Sequence, residues 1–201
     1  PYGTVAGLAN NSNQQTSQIT DCTVEGTIES TNAAAAGLVG TVDGLVENCT
    51  VDVTVKAAGG AFGLVQDANR PTAELTNCTV TAQIESTGES SSAAGLAGTT
   101  AGAVKDCTVN ATVKTGGDAA GLVNQATGGT LEDCTFTGTV ESVHGKAAGF
   151  LTTGLQGNAG ATIRNCSAKA EVTGGTMAGG FICEITGGKL ESCTYTGTVH
   201  G

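Results

Sequence analysis

One heptapeptide dictates what this chain can become. Cys134-Thr135-Phe136-Thr137-Gly138-Thr139-Val140 has near-copies beginning at Cys22, Cys49, Cys78, Cys107, Cys166 and Cys193. Cys always stands first and Thr or Ser second; Val, Phe, Tyr or Ala is third, Gly, Ala or Val fifth, and Ile or Val seventh. Apolar or small residues therefore alternate with mostly polar ones. A period of two in β-favouring residues describes a strand with one buried face. The seven copies recur every 27 to 32 residues. A unit this small cannot bury its own apolar face, so it must stack on its neighbours as a solenoid.

Each repeat carries a second landmark upstream of its Cys, an Ala-Gly-Leu-like block: Ala6-Gly7-Leu8, Ala36-Gly37-Leu38, Phe62-Gly63-Leu64, Ala94-Gly95-Leu96, Ala120-Gly121-Leu122, Ala148-Gly149-Phe150 and Gly179-Gly180-Phe181. Between block and Cys there is usually a Gly, then an apolar residue, then an Asx, as in Gly44-Leu45-Val46-Glu47-Asn48. The pattern predicts two or three short strands per coil, divided by Gly-rich corners, and no capped helix. Seven coils about 4.8 Å apart make a rod roughly 35 Å long. The whole of 1–201 reads as one such domain.

Composition fits a narrow core: aromatics are 3%, Trp is absent and Gly numbers 32. The formal charge of -10 argues against nucleic acid, whose binding rests on basic phosphate contacts, and against an anionic membrane surface. No apolar run reaches the length of a membrane-spanning helix. There are eight cysteines, and seven hold one inward repeat position. Stacking would align Cys22, Cys49, Cys78, Cys107, Cys134, Cys166 and Cys193 as a column of buried thiols, each packing as a small hydrophobe. No Cys-x-x-Cys occurs, so zinc-ligand and redox-motif spacings are missing. No metal or other cofactor is expected.

Two further columns follow from the repeat. Asp21, Asn48, Asn77, Asp106, Asp133, Asn165 and Ser192 precede the cysteines. Such side chains bond their own backbone at a corner or form a ladder between coils. Seven residues after each Cys the chain places Glu29, Lys56, Glu85, Lys114 and Glu141, then Thr173 and His200. Alternating charge in stacked coils attracts, which fixes register more than it adds stability. The alternation extends to the corners. Glu-bearing coils continue with Ser, Thr and Ala, as in Ile84-Glu85-Ser86-Thr87, and the intervening coils with a Gly pair, as in Val113-Lys114-Thr115-Gly116-Gly117. The duplicated unit is therefore a pair of coils.

The pattern resembles the GLUG repeat, named for its Gly-Leu-any-Gly core. Ala36-Gly37-Leu38-Val39-Gly40 and Ala94-Gly95-Leu96-Ala97-Gly98 match that core, whereas other copies place Gln66, Asn124, Thr152 and Cys183 at its last Gly. The resemblance runs through all seven repeats. It implies an all-β, right-handed parallel β-helix from an exported bacterial or archaeal protein. Such repeats occur in surface proteins, adhesins and non-catalytic parts of secreted peptidases.

Enzyme motifs are missing. His144 lies in a Gly-flanked corner and His200 is penultimate, neither with a recurrent carboxylate or Cys at ligand spacing. Ser90-Ser91-Ser92 reads as an exposed corner, and the Ca²⁺ nonapeptide of other β-rolls does not occur. Glu25 and Asp52 would stack without a nearby cation, as a solvated face. The outward residues of the repeat strand form Thr-rich triplets such as Thr135-Thr137-Thr139, which resemble the flat faces of ice-binding solenoids, with charges interrupting at Lys169 and Glu171. The reading favoured by these features is a non-enzymatic structural or interaction module: an extracellular, cell-surface stalk, adhesive rod or filament subunit. Its partners would be flanking repeats or end-to-end copies, and a glycan or host surface protein. A ligand-binding face, for ice or glycan, is the alternative, and a carbohydrate-active β-helix enzyme a more distant one. Neither end carries an atypical capping repeat, so the sequence is expected to belong to a longer solenoid or to a stack of copies.

Overall fold

The computed structural model describes residues 3–154 and 160–201. These residues form an all-β parallel solenoid of seven coils, without a helix. Each coil contributes one strand to each of four parallel seven-stranded sheets, and successive coils are neighbours in every sheet. The second coil shows the plan: Ala35–Ala36, Val39–Val42, Leu45–Glu47 and Thr50–Ala57 lie in the first, second, third and fourth sheets.

A coil thus has four strands, against the two or three expected. The difference lies in the Ala-Gly-Leu block, which is itself a corner and divides the first strand from the second. At Gly37 the next coil comes so close that a Cβ would lie 1.8 Å from the carbonyl oxygen of Gly63. Glycine is required there because only a bare Cα admits that approach. The corners are paired as well as the strands. The Leu38 N–H donates to Leu64 O at 2.9 Å, and Leu64 and Leu96 repeat the bond to Leu96 O and Leu122 O at the same distance. Backbone pairing consequently continues around the bend, leaving few buried backbone groups to orphan.

The heptapeptide forms the long fourth sheet. Thr50–Ala57 pairs residue for residue with Thr79–Ser86, and that strand with Thr108–Thr115. Inward side chains such as Val51, Val53 and Val55 are at most 4% exposed. They meet Leu38, Leu64, Leu96, Leu122 and Phe150 from the corner after the first sheet, and Val46, Leu75, Val104, Leu131 and Ile163 from the third. Full burial of each such side chain stabilises by about 1.5–3 kcal/mol relative to exposure. The large departures in the third heptapeptide place are offset, with Ala168 in register between Phe136 and Tyr195. Phe136 replaces Val in the fifth coil, and its register partner in the sixth is Ala168. Phe150 and Phe181 stack with ring centroids 4.5 Å apart, in the column that is otherwise leucine. A flat ring therefore fits between coils at the strand spacing.

Candidate functional site

Four columns of polar or reactive groups run along the rod, each placed by the repeat. The first is at the corner before each Cys. Asp21, Asn48, Asn77, Asp106, Asp133, Asn165 and Ser192 all have φ between 50° and 55°. This is the left-handed region, which Asn and Asp enter more readily than other non-Gly residues. The Asx requirement is thus conformational. A ladder accompanies it at the first coils, where Asn48 Nδ2 donates to Asp21 Oδ1 at 3.1 Å and Asn77 Nδ2 to Asn48 Oδ1 at 2.8 Å.

That left-handed residue turns the following Cys inward. Cys49, Cys78, Cys107, Cys134 and Cys166 are buried, and Cys22 and Cys193 are half-buried. Each Sγ lies 3.1–3.3 Å from the carbonyl oxygen two residues earlier. From the second coil onward each also lies 3.6–3.8 Å from a carbonyl of the preceding coil. Burial pushes the Cys49 thiol up to about 11. Cys107 and Cys166 are also raised, by interaction with the neighbouring Cys134 thiol and then by burial, while interaction with Cys107 draws Cys78 and Cys134 down. All seven are free thiols, as is the half-buried Cys183, which stands outside the column on the second sheet and is also raised by burial, to about 11.

The charge column lies along the edge of the fourth sheet. Register partners run Glu29 to Lys56, Lys56 to Glu85, Glu85 to Lys114 and Lys114 to Glu141. Within it, Lys56 Nζ is 3.9 Å from Glu85 and Lys114 Nζ is 3.1 Å from Glu141. These side chains are about half exposed, so each pair contributes little. Two stronger pairs escape sequence reading. Arg164 grips Glu132 across the third sheet with Nε at 2.7 Å and a second bond at 2.8 Å, and this hydrogen bonding draws the Glu132 carboxyl below its ordinary range. Lys146 meets Glu184 at 2.6 Å, which raises the lysine. The first pair belongs to a second alternating charge row, Lys105, Glu132, Arg164 and Glu191 in successive coils, which the sequence carried two residues before each Cys. The second joins two different rows, so no single repeat position signals it.

The fourth column is the outer face of the long sheet. Positions two, four and six of the heptapeptide point outward, in register from coil to coil. Thr23, Thr50, Thr79, Thr108, Thr135, Ser167 and Thr194 form an unbroken hydroxyl row. Shallow troughs open between rows four and six. One is floored by Gly138, Ala170 and Gly197, and another, holding Glu25 and Asp52, by Gly26, Val53 and Ala82. The glycines at this fifth position, Gly26, Gly138 and Gly197, have φ of 123°, 148° and 146°. A Cβ on Gly138 would lie 1.8 Å from Ala111 O.

A notch at the alternating corner brings together groups far apart in sequence. The short Gly116-Gly117 corner of the fourth coil is recessed between the longer corners of the third and fifth. Glu89, Ser90, Ser92, Asp118, Asn124 and His144 line the result. Asp118 Oδ1 accepts the Lys146 backbone N–H at 2.9 Å, which commits one carboxylate oxygen to the corner itself. Buried hydroxyls at the ends of the long strands hold the corners too: Ser86 Oγ donates to Gly59 O at 2.7 Å and Ser142 Oγ to Gly117 O at 2.6 Å. Among the described residues no group of three or more His, Cys, Asp and Glu side chains converges as a metal cage. No family model, curated protein or solved structure matches the chain.

Proposed function

We propose that the chain is a non-enzymatic structural and interaction module of an exported bacterial surface protein, serving as a stalk or adhesive rod. The observation that carries this reading is the uninterrupted register. The long strands pair residue for residue through seven coils, and corner groups pair as well, so a load along the axis meets backbone bonds at every coil. The resemblance to GLUG repeats supports the same setting. Partners in this reading are further coils of a longer chain or a second copy, which the unpaired edge of any terminal coil is suited to accept.

Force spectroscopy on the chain held by its two ends tests the mechanical role. A load-bearing solenoid should unzip in steps of one coil. Each step releases 27 to 32 residues, or about 90–115 Å of extended chain at ~3.3–3.6 Å per residue. Collapse in one low-force event would overturn it.

The hydroxyl rows support a second reading, a face that binds an ordered ligand such as ice or a glycan. Hydroxyls repeat about 7 Å along each strand and about 4.8 Å between coils. Thermal hysteresis would identify the ice version, and retention on a glycan array the other. Replacing Thr137 with Lys should abolish either signal.

A further inference from the structure

We propose that the cysteine column is a binding site for a soft monovalent cation with a filled d shell, Cu(I) or Ag(I) in class, held linearly between the thiols of adjacent coils. Three observations carry this. The first is spacing. Every column Sγ holds the same position against its own strand, 3.1–3.3 Å from the carbonyl two residues earlier. The sulfurs therefore repeat at the coil spacing, about 4.7–4.9 Å. With the ~2.3 Å of a zinc–thiolate bond as the guide to metal–sulfur lengths, two such bonds laid end to end span ~4.6 Å. An ion midway between two coils meets both sulfurs with almost no movement of the backbone. The cysteines are directed into the core, across the rod axis, so an ion between two coils meets each sulfur from the side.

The second observation is coordination number. Among the described residues no set of three or more metal-ligating side chains converges on a point. The column offers an ion two sulfurs and no more, inside an apolar core. Zinc prefers four ligands, whereas thiolate softness selects Cu(I) and its chemical relatives.

The third is that loading orphans nothing. The carbonyls that accept the thiol protons already accept a backbone N–H from the neighbouring coil. Glu47 O takes the Asp21 N–H at 3.0 Å, and Thr76 O takes that of Asn48 at 3.1 Å. The S–H is a spare donor. One Sγ–H bond breaks, one Sγ–metal bond forms, and the proton leaves to solvent. The second sulfur binds through a lone pair as the neutral thiol. One positive ion and one thiolate leave the core without net charge, which avoids the cost of a buried unpaired ion. Packing alone does not call for sulfur at every coil. The neighbouring inward positions exchange Val, Ile, Phe, Tyr, Ala and Gly, while this one is Cys seven times.

Silver(I) nitrate added to the folded chain in chloride-free buffer tests the proposal, read by native mass spectrometry and X-ray absorption. The expected result is one to six ions retained by a protein with unchanged circular dichroism, each with two sulfurs in its first shell. Cys134→Ala interrupts the column and should lower the ion count, while Cys183→Ala, outside the column, should leave it unchanged. Cys107→Ala is the substitute should Cys134→Ala not fold, and the absorption spectrum of the unaltered chain stands independently of both. No retained silver, a shell of three or more sulfurs or of nitrogen and oxygen, uptake only on loss of the β signal, or a count that follows Cys183 would each overturn the site.

Discussion

At the residue scale, two backbone conformations decide identity more firmly than any side-chain contact. The left-handed corner before each Cys tolerates Asn, Asp and, at Ser192, Ser. Asn77→Ala should destabilise by about 1–2 kcal/mol through the steric cost of that region for an ordinary residue. Asn77→Gly should cost less, since Gly carries no such penalty. Urea titration of both variants measures the difference, and equal losses would place the effect in the Asn48 hydrogen bond instead. The positive-φ glycines of the long strand pose a stricter demand. Gly138→Ala combines a disfavoured backbone region with a collision against Ala111 O, and a loss of about 1–3 kcal/mol is expected from the strain alone. Thr139→Ala, on the solvent side of the same strand, should change stability by less than about 0.5 kcal/mol. Comparable losses in the two variants would contradict the assigned φ.

At the element scale, register is the quantity to test. Lys56→Glu would stack three like charges where Glu29, Lys56 and Glu85 now alternate. A loss of about 0.5–1 kcal/mol is expected at low ionic strength, shrinking in high salt. A melting temperature unchanged at low salt would contradict the side-by-side placement. The thiol column adds a pH dependence whose sign follows from burial. Cys49 holds its proton to about 11 in the folded chain, against 9.0 for a free thiol. The raised thiol contributes stability fully present below pH 9 and lost as pH climbs toward 11. Denaturation followed from pH 8 to 11 should show this decline, and Cys49→Ala should lessen it. The strands, their parallel stacking and the charge register were legible because the heptapeptide alternates with period two and recurs in phase. The fourth strand was not, because Ala-Gly-Leu reads as continuous apolar sequence until the approach of Gly63 O to Gly37 bends it. The notch around Asp118 and His144 was hidden for another reason. It arises from the difference in length between neighbouring corners, and no single repeat contains it.

At the scale of the whole molecule, the rod has a polarity of composition as well as of chain direction. Long Ser- and Thr-bearing corners alternate with short Gly-pair corners, and Glu with Lys in the ladder beside them. Removing one coil, residues 78–106, would set Lys56 against Lys114 and one short corner on another. Removing two, residues 78–133, would restore Lys56 against Glu141. The shorter deletion should therefore show the greater salt-dependent loss of stability, despite retaining more coils. If both deletions responded equally to salt, the alternation would have no energetic meaning. The coil pair thus behaves like the unit cell of a one-dimensional crystal. Loss or gain of an odd number of coils leaves a stacking fault at a definable place. Duplication within the gene avoids such a defect only in even steps, so the rod gains or loses length a pair of coils at a time.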